Sequence, residues 1–109
     1  MRMAEITSEA QLQSICNQFM RQRGIEFIHI EKGRTRNTTH RAGVPDCVIF
    51  GKNKTIFIEL KTDSGKVSDE QNDYLTKMQK LGHECFIIRP RTIEMFYDII
   101  NELALDIKH

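Results

Sequence analysis

The sequence has no tryptophan, two prolines and three cysteines among its 109 residues. Without tryptophan, the core must rest on Leu, Ile, Val, Phe and Met. The cysteines, Cys16, Cys47 and Cys85, are odd in number, far apart and form no C-x-x-C pair. That pattern argues against both a disulfide framework and a zinc site. No apolar run approaches the roughly 20 residues that cross a bilayer, and residues 1–5 lack the apolar stretch of a secretory leader. The expected setting is reducing and cytoplasmic, with no membrane partner. Excess charge is also missing. The 16 Lys and Arg against 15 Asp and Glu leave a net +1, which argues against a protein that holds nucleic acid by bulk charge. The length, with 39% hydrophobic and 28% charged residues, is that of a single globular domain over residues 1–109. The Cys and His spacing gives little support to a small metal or redox protein.

The near-neutral total conceals an uneven distribution. Residues 1–58 hold nine basic and five acidic residues, and residues 59–109 hold seven and ten. The basic excess is densest at Lys32, Arg34, Arg36 and Arg41, with no acid between them. Asn37, Thr38, Thr39 and His40 are interleaved, Gly33 and Gly43 are close by, and no apolar period is present. The stretch reads as a polar loop, either a solvated surface segment or an arm that contacts phosphates. Charge alone does not decide between them. A locally basic face is compatible with the neutral total, and its affinity for DNA would fall steeply with salt.

Local patterns give an order of elements. Ser8-Glu9-Ala10-Gln11 fits a capping box. Leu12, Ile15, Cys16, Phe19 and Met20 then recur at helical spacing up to Gly24. Residues 25–31, 44–50 and 55–61 read as strands, the last two joined by hairpin chemistry at Gly51-Lys52-Asn53-Lys54. A polar loop over 62–67 precedes a second capping box, Ser68-Asp69-Glu70-Gln71. That helix carries Tyr74, Leu75, Met78 and Leu81 and ends at Gly82. Residues 85–88 read as a short strand stopped before Pro90, and a last helix carries Ile93, Phe96, Tyr97, Ile100 and Leu103. The predicted order is α-β-β-β-α-β-α, an α/β fold with a mixed sheet of about four strands flanked by helices.

The hairpin gives one pair of residues a geometric meaning. With the turn centred between Lys52 and Asn53, residues whose numbers sum to 105 face each other, so Asp46 faces Glu59. Such side chains share a face, with Cβ atoms about 4.5–5.5 Å apart. Lys61 lies on that face about 7 Å further along, while Ile56, Ile58 and Leu60 point to the other. Opposed carboxylates repel unless one is protonated or a cation lies between them. Oxygen ligands with open positions suit Mg²⁺ or Mn²⁺, and the Leu60 carbonyl would add another oxygen. A lysine beside such an ion suits metal-assisted phosphodiester hydrolysis. Glu9, in the first turn of the first helix, is either a third carboxylate for this cluster or a residue placed for the helix macrodipole. Arg41 suits a bidentate phosphate contact. Lys66 is either a DNA contact or a solvated lysine. His29 reads as structural, and Cys47 as a small hydrophobe on the opposite face.

Together, Pro45-Asp46, Glu59-Leu60-Lys61 and their surroundings resemble the PD-(D/E)XK nuclease superfamily. Arg41-Ala42-Gly43-Val44-Pro45-Asp46, Ile58-Glu59-Leu60-Lys61-Thr62 and Gly65-Lys66-Val67-Ser68-Asp69-Glu70-Gln71 resemble its VRR-NUC branch, whose members read R-x-G-x-P-D, E-x-K and G-x-[L/V]-S-x-x-Q in this order. The likeness spans roughly residues 7 to 90, including an opening helix over residues 7–13. It implies a restriction-endonuclease-like core. It also implies a metal held by Asp46 and Glu59, assistance from Lys61, Glu9 as the helix-borne acid and Gln71 in support near the site. The stand-alone form implies a bacterial or bacterial-virus protein similar to Holliday-junction resolvases, working on branched DNA as a homodimer. Two other readings stand beside it: a generic or restriction-like nicking nuclease, and a non-catalytic DNA-binding module that keeps the fold.

Overall fold

In the computed structural model, which describes residues 5–30 and 43–108, the elements follow the predicted order. They are α1 (Glu9–Gln22), β1 (Glu26–His29), β2 (Cys47–Phe50), β3 (Thr55–Leu60), α2 (Asp69–Lys80), β4 (Glu84–Ile88) and α3 (Ile93–Lys108), with a 3₁₀ turn at Pro90–Thr92 before α3. The sheet has the order β1-β2-β3-β4. β1, β2 and β3 pair antiparallel, and β4 joins β3 in parallel after the α2 crossover. Both capping boxes form as their sequences dictate, with Ser8 closing on Gln11 and Ser68 on Gln71.

Each strand divides its residues between two unlike faces. Cys47 and Ile49 of β2 and Ile56, Ile58 and Leu60 of β3 point to a common apolar face. There they pack with Leu12, Cys16 and Met20 of α1 and Ile93, Phe96, Ile100 and Leu103 of α3. Each such apolar side chain contributes about 1.5–3 kcal/mol by leaving water, so this face is the core. The other face is covered by α2, which buries Leu75 and holds Glu59 by a hydrogen bond from Gln71.

The strand ends differ from the predicted ones for identifiable reasons. β2 begins at Cys47, not at residue 44, because Gly43 turns the chain at φ +92° and Pro45 has no amide to give to a ladder. β1 begins at Glu26, and Ile25 enters the core instead of the sheet. β4 extends back to Glu84, which pairs with Ile56 and whose carboxylate meets Lys54 Nζ at 2.9 Å. Among the described residues, no helix is long and apolar enough to cross a membrane.

Candidate active site

The β2–β3 ladder has the register that the turn arithmetic requires. Phe50 lies opposite Thr55 and Cys47 opposite Ile58, and one step further outward on that register come Asp46 and Glu59. Gly51 donates to the Lys54 carbonyl at 2.8 Å, which makes the pair 51 and 54 a bonded rung. Bonded rungs alternate with unbonded ones, so on this register Asp46 and Glu59 fall at an unbonded position, the kind in which side chains stand closest. The following rung would offer the Leu60 amide to Pro45. Instead the Asp46 side chain takes it, with Oδ2 accepting from Leu60 N–H at 2.7 Å. The Leu60 carbonyl points to the same side as its amide, toward the Asp46 end of β2.

Glu59 breaks the burial pattern of its strand. The face opposite the core is otherwise partly exposed along β3, yet Glu59 is only 1% exposed. A buried carboxylate is costly unless it is hydrogen-bonded. The Gln71 Nε2 amide donates to its Oε2, while Gln71 Oε1 accepts the Ser68 amide at 2.9 Å to complete the α2 cap. One side chain therefore closes the helix and holds the acid. Lys61 follows on the same face as Glu59, half-buried, with its amide donating to the Ile88 carbonyl at 3.0 Å.

Gly43 joins these pieces. A Cβ on it would lie 2.7 Å from the Gln71 amide nitrogen and closer still to the Glu70 carbonyl group. The backbone just before Pro45-Asp46 is thus pressed against the first turn of α2. Only glycine permits both that approach and the positive φ. In this way the segment carrying Asp46, the helix carrying Gln71 and the strand carrying Glu59 become one unit.

The structure joins Gln71 to Glu59 and Asp46 to the Leu60 amide, with Lys61 two residues after Glu59, and it does not bring Glu9 to the two carboxylates. Glu9 is exposed in the first turn of α1, and α1 packs on the apolar face, away from the side to which Glu59 points. Among the described residues no group of three or more His, Cys, Asp and Glu is assembled that could hold a metal ion. Lys66 is exposed in the loop after Lys61. Lys32, Arg34, Arg36, His40 and Arg41 lie outside the described residues. His29 packs beside α1, its Nε2 at 3.2 Å from Gln13 Nε2. Cys47 is buried in the core, and its thiol is pushed up to about 12, first by burial and then by the Asp46 charge. The Cys16 thiol is likewise pushed up to about 12, chiefly by burial, so neither is a ready nucleophile. Sequence reasoning gave no role to Arg89, whose guanidinium lies against the turn that follows Lys61. It also missed why position 43 is a glycine.

The family model of the VRR-NUC domain matches residues 6–91. No curated protein and no solved structure matches the chain.

Proposed function

This protein belongs to the VRR-NUC domain family, a family of nucleases, and on that premise we propose that it is a metal-dependent endodeoxyribonuclease that cleaves branched DNA as a homodimer, in the manner of a Holliday-junction resolvase. The observation that carries this reading is that Asp46 and Glu59, one step beyond the paired Cys47 and Ile58, are each held by their own hydrogen bond, with Lys61 two residues after Glu59.

The donor set fits a hard divalent cation. Both side chains are carboxylates, they fall at a close position on the register, and one of them is buried, so a cation between them offsets repulsion and desolvation together. Mg²⁺ or Mn²⁺ would be held by Asp46, Glu59 and the Leu60 carbonyl. Such an ion supplies Lewis acidity to the scissile phosphate and the attacking water. The chain's own groups do the rest. Lys61 orients the water and stabilises negative charge as it develops on the phosphate. Gln71 fixes the Glu59 carboxylate, and the Leu60 amide fixes Asp46, as outer partners of metal-binding carboxylates do. Lys66 and the basic residues Lys32, Arg34, Arg36 and Arg41 supply contacts to the DNA backbone. Two copies about a two-fold axis would present equivalent sites to the symmetric strands of a four-way junction.

The test is incubation with four-way, flap, nicked and linear duplexes, with and without Mg²⁺. Cleavage is expected only with the metal, and fastest on the four-way junction. Equal cleavage of all four substrates overturns the junction preference and favours a generic nicking enzyme. Binding without cleavage of any of them overturns the nuclease reading and favours a DNA-binding module.

A further inference from the structure

The turn after Lys61 is held from outside by a residue of another strand. β4 ends at Ile88, whose carbonyl accepts the Lys61 amide at 3.0 Å. The next residue, Arg89, directs one guanidinium nitrogen, Nη1, to the Thr62 carbonyl at 2.7 Å and the Gly65 carbonyl at 2.6 Å, with the Asp63 carbonyl at 3.5 Å. Those residues form a tight turn, closed by the Gly65 amide on the Thr62 carbonyl at 3.2 Å. A second tie runs from the Arg91 amide to Asp63 Oδ1 at 3.0 Å. Arg89 is itself fixed, because its amide donates to Thr92 Oγ1 at 2.9 Å and its carbonyl accepts the Thr92 amide at 2.9 Å.

The turn is also the wall along which the lysine runs. A methyl group built on Gly65 would sit 3.5 Å from Cδ of Lys61 and 3.0 Å from Thr62 Oγ1. The last residue of β4 thus holds the backbone of Lys61, and the residue after it holds the surface against which the stem of Lys61 lies. A lysine stem has several rotatable bonds, so its ammonium keeps one place only if its surroundings restrict it.

We infer that Arg89 is a positioning residue for Lys61, acting through the turn at residues 62–65. The inference rests on the nuclease reading for its effect on cleavage, and on geometry alone for its effect on Lys61. The two N–H groups of Nη1 are taken up by the Thr62 and Gly65 carbonyls, which commits that side of the guanidinium to the turn.

The experiment is a double-mutant cycle with a second readout that needs no activity. Arg89→Met is expected to lower kcat about tenfold with KM unchanged, and to have less than a twofold effect when Lys61 is already Met. Non-additivity of this kind marks one residue acting through another. In ¹³C-lysine-labelled protein, the Lys61 Cε resonance, assigned by its loss in Lys61→Met, is expected to become more mobile in Arg89→Met while Lys66 does not change. If Arg89→Met fails to fold, Arg89→Lys, which keeps the charge but ends short of the carbonyls, carries the same cycle. An equal cost with and without Lys61, or an unchanged Lys61 resonance, overturns the inference. If the wild type cleaves no DNA, the nuclease reading falls by itself, and the Lys61 resonance still decides the role of Arg89.

Discussion

Gln71 carries two duties in one amide, and they separate by substitution. Its Oε1 accepts the Ser68 amide and its Nε2 serves Glu59. Gln71→Leu is expected to cost about 1 kcal/mol of stability in urea unfolding through the lost cap and to lower cleavage about 10- to 100-fold through the released acid. Ser68→Ala removes the other half of the cap, the hydroxyl that accepts the Gln71 amide at 3.1 Å. It should match that stability loss and keep most of the cleavage. Equal cleavage by Gln71→Leu and wild type would show that Glu59 needs no such support. The buried thiols give a pH prediction. Cys16 and Cys47 titrate near 12 when folded, above the ordinary 9.0. Above pH 9 the unfolded chain loses those protons while the folded chain keeps them, so stability is complete below pH 9 and falls toward pH 12. Each thiol contributes a slope of about 1.4 kcal/mol per pH unit. Denaturant unfolding between pH 8 and 11 should show this fall, reduced by about half in Cys47→Ala. At this scale the sequence made Asp46, Glu59 and Lys61 legible, because Pro-Asp and Glu-x-Lys sit at a spacing that a hairpin brings together. Arg89 was not legible, since its partners are backbone carbonyls that every residue type carries.

At the scale of elements, the hairpin register could be read because a two-residue and a four-residue loop at Gly51–Lys54 give the same sum of 105, realised at Phe50 and Thr55. The strand limits could not, because they depend on neighbours. Glu84 has no strand preference of its own and is drawn in by parallel pairing with Ile56. The side of the sheet on which α1 would lie, and hence the exposure of Glu9, was also beyond a local pattern. The spacing from Glu9 to Leu12 fixes a helix face, but Glu9, in the first turn of α1, is exposed. Gly43 is where elements meet, and it has a control. Gly82 shares its φ of +92° but has open space around it, so Gly82→Ala should cost only the conformational penalty, about 1–2 kcal/mol. Gly43→Ala adds a clash with the α2 backbone. It is expected to be the more destabilising by thermal unfolding and to lose most cleavage, because Asp46 and Gln71 move apart. Equal destabilisation of the two variants would dissolve the proposed link between the Pro-Asp segment and α2.

For the whole molecule, the sheet separates stability from chemistry. α1 and α3 bury the apolar face, and α2 alone governs the face that bears Glu59 and Lys61. Substitutions at the site should therefore leave the core intact, which makes activity and folding separable in one protein. The net charge of +1 fits the same division. On the proposed reading a cation neutralises the acidic residues at the site, and the basic residues lie mostly elsewhere in the chain. The central claim is that Asp46, Glu59 and Lys61 act together in cleavage rather than in folding or in holding DNA. It is tested most directly by Lys61→Ala, measured for Mg²⁺-dependent cleavage and for affinity toward the same four-way junction. The account predicts cleavage lowered about 10³-fold, to a residual rate, with DNA affinity and unfolding midpoint close to those of the wild type. Undiminished cleavage by Lys61→Ala would contradict it.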